Sequence, residues 1–119
     1  EIGSLHHKYF KMFNRAKVHL AKLKGARSLL TLYKRDWLTG EMPQQQLKEL
    51  EWKANPRVIL KAEIETHLQG DQELINSNVK IAEMEQIVSF LDSILKTINN
   101  RGFVIKNMID DRKFMNGGY

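Results

Sequence analysis

Basic residues recur at steps of three and four near the start of the chain: Lys8, Lys11, Arg15, then His19 and Lys22. At about 100° of helix turn per residue, this spacing lines all five along one stripe. A stripe of fixed positive charge holds a row of anions, either the phosphates of nucleic acid or the headgroups of an anionic membrane. Lys17 and Lys24 lie around the far side of the same helix, and Arg27 carries the basic run onward. Near its end Tyr33, Lys34, Arg35 and Trp37 interleave aromatics with bases. Unpaired bases can stack on such rings, but Tyr33 and Trp37 also fall on the helix's apolar seam, where packing is the plainer use. Lys34 and Arg35 are the stronger ligand candidates of the four. The candidate nucleic-acid contacts are therefore Lys8, Lys11, Arg15, Lys22, Lys24, Arg27, Lys34 and Arg35.

Residues suited to bond-making are scarce. His6 and His7 are adjacent, so on a helix they face about 100° apart and cannot share a metal. Glu63 and His67 share a face at four-residue spacing, but no second ligand pair accompanies them. An exposed ion pair is the better reading there. There is no cysteine, which excludes disulfides, thiolate nucleophiles and Cys-based zinc or iron–sulfur sites. A Gly-rich phosphate loop, a Gly-x-Ser-x-Gly elbow and paired carboxylates in an apolar setting are also lacking. No enzymatic activity, cofactor or metal is expected.

The 119 residues and 13.9 kDa allow one domain. An apolar fraction of 42% supports a core. Charge is more informative by position than in total: the net is +5, but residues 1–40 hold nine bases against two acids. Residues 41–119 hold ten bases against twelve acids. One half suits a polyanion and the other a different task. A membrane-surface helix is the weaker reading of the basic half, because no lipidation motif accompanies it. No apolar run reaches the roughly 18 residues of a membrane span, and a reducing cytoplasm is the expected compartment. The chain opens on Glu1 without an initiator Met, so native residues upstream are expected.

Both prolines, Pro43 and Pro56, fall in the middle third. In the first third Leu5, Tyr9, Met12, Ala16, Leu20, Leu23, Ala26, Leu30, Tyr33 and Trp37 form one amphipathic seam. The expected helix has Ser4 as N-cap, runs to about Leu38 and has Gly40 just past its end. Residues 44–53 read as a short helix, with Asn55-Pro56 as cap and first position of the next. Leu60 to Leu68 fits both a strand and a helix template, and the Gly70 stop favours helix.

From Asp71 the period tightens. Leu74, Ser77, Ile81, Met84, Val88, Leu91, Leu95, Ile98, Gly102, Ile105 and Ile109 alternate steps of three and four, a coiled-coil period. One helix is expected from Asp71 to about Phe114, followed by a frayed Gly117-Gly118 end. A helix of that length spans roughly 65 Å, against a diameter of roughly 35 Å for a compact domain of this size. The first helix can pair with part of it in a hairpin; the rest of the seam points to self-association. Residues 1–70 are therefore the expected basic DNA-binding region and residues 71–119 the oligomerisation helix.

The stretch from Ile98 to Phe114, INNRGFVIKNMIDDRKF, resembles the tail of the UvsY family of T-even-type phage recombination mediators. That tail carries Arg-Gly-Phe, then Ile-Lys, then Asp-x-Arg-x-Phe, which fall here on Arg101, Gly102, Phe103, Ile105, Lys106, Asp110, Arg112 and Phe114. Asp36-Trp37-Leu38-Thr39-Gly40 resembles the family's Asp-aromatic-x-Ser/Thr-Gly at the end of its first basic helix. The resemblance covers most of the chain and is loose over residues 43–70. The family's Lys-x-Arg pair is half present: Lys34 falls where the Arg would be, Leu32 where the Lys would be, and Arg35 replaces a Leu. DNA contact at Lys34 is what the resemblance implies; contact at Arg35 rests on charge alone.

The resemblance implies a non-enzymatic accessory protein of homologous recombination in the cytoplasm of an infected bacterium. Its implied partners are single-stranded DNA, the RecA-like recombinase UvsX and the phage single-strand-binding protein, with a ring of six or seven copies assembled through the C-terminal helix. The expected assembly residues are Leu91, Leu95, Ile98, Phe103, Ile105, Arg112 and Phe114, while Lys106 and Asp110 are expected to pair on one helix face. The expected fold is all-α: a basic N-terminal amphipathic helix, short middle helices, a long coiled-coil-like C-terminal helix and a ring-type homo-oligomer. The rival readings are a coiled-coil scaffold with incidental basic charge and an RNA-binding module.

Overall fold

The computed structural model describes the backbone of residues 2–115 and, within it, the side chains of residues 3–110 and Arg112. The described residues form four helices and no strand: α1 (Ile2–Thr39), α2 (Gln44–Leu50), α3 (Lys61–Gln69) and α4 (Gln72–Met115). The Gly117-Gly118 end lies outside the described residues.

Local sequence explains most of the boundaries. The α1 helix already runs at Ile2, so Ser4 sits inside its first turn and is not its N-cap. Its C-terminus is a Schellman motif: the Glu41 N–H donates to the Asp36 carbonyl at 2.9 Å and the Gly40 N–H to the Trp37 carbonyl at 3.3 Å. Gly40 carries φ +77°, and a Cβ there would stand 3.2 Å from Val58 Cγ2. The left-handed backbone favours glycine, and an added Cβ would also need the Val58 side chain to give by a few tenths of an ångström. The second helix ends in the same motif, Trp52 N–H to the Leu47 carbonyl at 2.9 Å and Glu51 N–H to Lys48 at 3.2 Å. Here Glu51 takes the left-handed position at φ 58°, a conformation that disfavours a side-chain-bearing residue by roughly 1–2 kcal/mol.

Asn55-Pro56 does not start a helix. Asn55 Oδ1 accepts the Arg57 N–H at 3.2 Å, and its Nδ2 donates to the Leu38 carbonyl at 3.4 Å. The asparagine therefore folds a local turn and ties it to the end of α1. The chain stays non-helical through Leu60, and α3 begins at Lys61. The helical alternative for the following stretch is the one the chain adopts, with Gly70 at its C-cap. Asp71 then caps α4, its Oδ1 accepting the Leu74 N–H at 3.0 Å. That helix passes through Gly102 without interruption.

Two compact units emerge: Glu1–His19 with Met84–Tyr119, and Leu20–Glu83. In the second unit Ile64, Leu68 and Leu74 form the buried cluster, with Leu30, Leu38 and Ile59 packed against it. Burying each such side chain is worth roughly 1.5–3 kcal/mol. Three backbone-directed bonds fasten its connecting segment: Trp37 Nε1–H to the Lys53 carbonyl at 2.6 Å, Ile59 N–H to Leu38 at 3.0 Å, and the Asn55 amide. In the first unit Ala16, Leu91, Leu95 and Ile98 are buried. Along α4 the least exposed positions follow the 3.5-residue seam as far as Gly102, and the described side chains beyond it are exposed.

Candidate nucleic-acid interface

The α1 helix presents Lys8, Lys11, Arg15, Lys22, Lys24 and Arg27 as exposed side chains. Among the described residues none of these six takes part in an ion pair. Lys24 and Arg27 also line an open recess of about 280 Å³ in the second unit, with Ser28, Asn78 and Ile81. Asn78 is a polar group that no repeat or charge pattern singled out, because it belongs to α4, some fifty residues away along the chain.

Lys34 and Arg35 are held differently. Lys34 Nζ lies 3.2 Å from Asp71 Oδ2 and 3.1 Å from Glu73 Oε1, with its side chain 16% exposed. The same ammonium stands over the Trp52 ring, 4.9 Å from its centroid, a cation–π contact that partial desolvation strengthens. Arg35 Nη2 is 2.8 Å from Glu65 Oε1 in a far more exposed pair, worth at most about 1 kcal/mol. Both residues thus hold internal carboxylates where a nucleic acid would offer phosphates. Trp37 is committed by its bond to Lys53, and Tyr33 is half-buried. Lys34, Trp37, Glu51, Trp52, Lys53 and Glu73 together line a recess of about 320 Å³. Sequence reasoning missed Trp52 there, since nothing local connects it to a lysine eighteen positions upstream.

The C-terminal candidates also divide. Leu91, Leu95 and Ile98 are buried within the single chain, so their removal from water needs no second copy. Phe103 is 66% exposed and Ile105 45%, and Val104, Met108 and Ile109 are exposed beside them. Arg112 is exposed, and the Phe114 side chain lies outside the described residues. Lys106 and Asp110 are both exposed, and the expected ion pair between them does not form; the i,i+4 pair found on this helix is Lys96 Nζ to Asp92 Oδ2 at 2.9 Å.

A basic first helix and a long last helix that carries Arg-Gly-Phe at residues 101–103 invite comparison with known families. Residues 1–118 match the family model described as "Recombination, repair and ssDNA binding protein UvsY". The chain belongs to the UvsY family. A search of curated proteins and a search of solved structures each returned no match. As a UvsY-family protein it falls in a group concerned with recombination, repair and single-stranded DNA, which agrees with the exposed bases of α1. Among the described residues no helix is long and apolar enough to cross a membrane.

Proposed function

We infer that this UvsY-family chain is a recombination mediator: it captures single-stranded DNA on α1, assembles through the end of α4, and loads a RecA-like recombinase onto strands covered by single-strand-binding protein. The observation that carries this reading is the set of six exposed bases on α1 that hold no acid among the described residues, in a protein whose acids reach Lys34 and Arg35 instead. Each unpaired base can neutralise one phosphate and release its counterion. Phosphate contacts position a strand without reading its sequence, and a strand held by its backbone keeps its bases open to a recombinase.

Assembly multiplies a weak contact. The exposed apolar residues from Phe103 to Ile109 are suited to bury one another between copies, and a closed ring repeats the basic surface once per subunit. Residues 1–70 then serve DNA and residues 71–119 assembly. Lys34 and Arg35 join the DNA contacts by exchanging carboxylates for phosphates. The partners are the phage recombinase UvsX and the single-strand-binding protein, in the host cytoplasm.

The test is binding of the full chain to oligo-dT, a mixed-sequence single strand and a duplex across a salt series, with sedimentation of the free protein alongside. Six to eight phosphate contacts per subunit, depending on whether Lys34 and Arg35 have exchanged their carboxylates, predict a log–log salt slope of about −4 to −6 per engaged subunit, similar affinity for the two single strands, and a mass of several subunits. Preference for the duplex, or binding indifferent to salt, would leave a coiled-coil scaffold as the better account. For loading, recombinase filament growth on coated single strands should quicken when the protein is added.

A further inference from the structure

On α1 the half-buried rings of His6 and Phe13 belong to the covered face with Tyr9 and Ala16, and beside them Phe10 and Lys17 are exposed. His6, Phe10, Phe13 and Lys17 step by four, three and four, so they share a face of the helix. The His6 and Phe10 rings lie parallel, 5.7 Å between centroids and 14° between planes. Lys17 Nζ stands over the Phe13 ring, 5.2 Å from its centroid. Phe10 is 44% exposed, and it falls off the covered face that runs through Tyr9, Phe13 and Ala16. Packing among the described residues therefore leaves nearly half of this side chain uncovered.

We propose that Phe10, stacked on His6, is a platform for one unpaired nucleobase of a bound single strand, with Lys17 taking a neighbouring phosphate. This rests on the DNA-binding reading above and adds to it a subsite that touches bases. Every base has a π-face, so the platform tolerates sequence. Stacking on His6 holds the Phe10 ring in place from one side, and a base can lie against its other face in the offset arrangement that stacked rings favour. The lysine is about 10 Å along the helix axis from Phe10, within reach of an adjoining nucleotide, and its ammonium already sits on an aromatic face. The charge of Lys17 favours a polyanion over an apolar protein partner. Stacking covers a base's face and leaves its pairing edge open, so anchoring a base here is compatible with recombinase action. Duplex bases are already stacked on their neighbours, so this subsite also favours single strands.

The test compares oligo-dT with an abasic deoxyribose-phosphate oligomer of equal length, which offers the same phosphates and no bases. The wild type, Phe10→Leu and Phe10→Trp are measured over one salt series and in sedimentation. Leucine keeps the helix and an apolar side chain but removes the ring. Phe10→Leu should weaken oligo-dT binding about tenfold, within the range of one lost base–aromatic stack. Abasic binding, the salt slope and the assembly should be unchanged, and Phe10→Trp should restore the oligo-dT preference. Equal weakening on both oligomers, a smaller assembly, or an unchanged oligo-dT affinity each overturns the platform; the second outcome would place Phe10 against another copy. If the wild type itself binds neither oligomer, the DNA-binding reading fails as well, which separates that failure from a failure of the platform alone.

Discussion

The bases of α1 fall into two regions that look alike in sequence and differ in structure. From Lys8 to Arg27 they are exposed and without ion pairs among the described residues. At Lys34 and Arg35, one turn from the helix end, three carboxylates and an indole are already engaged. Density of positive charge is therefore not the same as charge available to a ligand. The acids that make the difference come from α3 and the start of α4, with Lys34 and Glu73 39 positions apart. A parallel contrast holds on α4, where Leu91 and Leu95 are covered within the chain while Phe103 and Ile105 are not.

The sharpest way to break the first contrast is to neutralise each region separately. Replacing Lys8, Lys11, Arg15, Lys22, Lys24 and Arg27 with Gln should flatten the salt slope for oligo-dT by about four per engaged subunit and lower affinity by orders of magnitude at low salt. Lys34→Gln with Arg35→Gln should cost far less slope, because each of these bases must release an internal carboxylate before it can hold a phosphate. Fluorescence anisotropy over a salt series reads both, and equal losses would erase the distinction between the two regions.

The α4 contrast predicts effects of different kinds. Leu91→Ala should lower unfolding stability by about 2–5 kcal/mol through a cavity, read by denaturant titration. Phe103→Ser removes an exposed ring, so it should leave stability within about 0.5 kcal/mol at concentrations where the chain is monomeric. It should instead shrink the assembly in sedimentation. A monomer destabilised as much by Phe103→Ser as by Leu91→Ala would show that the end of α4 is packed within one chain.

The smallest expected effect sharpens the picture of the paired region. Glu65→Gln with Glu73→Gln frees Arg35 and leaves Lys34 with Asp71 alone. Affinity for single strands should rise a few-fold with a steeper salt slope, while stability falls by about 1 kcal/mol or less, as exposed pairs contribute little. An unchanged affinity would mean that these two bases do not meet DNA even when released.

Much of this architecture is legible in local residues. The seam from Leu74 to Ile98 predicts which side of α4 is covered, because a helix repeats its neighbours every three and four positions whatever it packs against. Gly40 marks the end of α1 for an equally local reason, a left-handed position that needs no side chain. Ser4 misled because capping chemistry only permits a helix to start; here the helix already runs at Ile2. Asn55-Pro56 misled more deeply. The pair has helix-starting composition, yet the Asn55 amide reaches the Leu38 carbonyl, a partner visible only once the chain has turned back.

The candidate site divides in the same way. Composition and period by themselves determined a basic first helix, a long apolar-seamed last helix and an absence of cysteine chemistry. Those properties belong to each residue and its neighbours within a turn or two. Tertiary structure alone decided which bases remain available, which leucines are already covered, and that Phe10 is left facing out beside His6. Each of those outcomes depends on where a distant segment returns. A carboxylate within 4 Å decides the use of a lysine, and no local pattern around Lys34 encodes the arrival of Asp71 and Glu73.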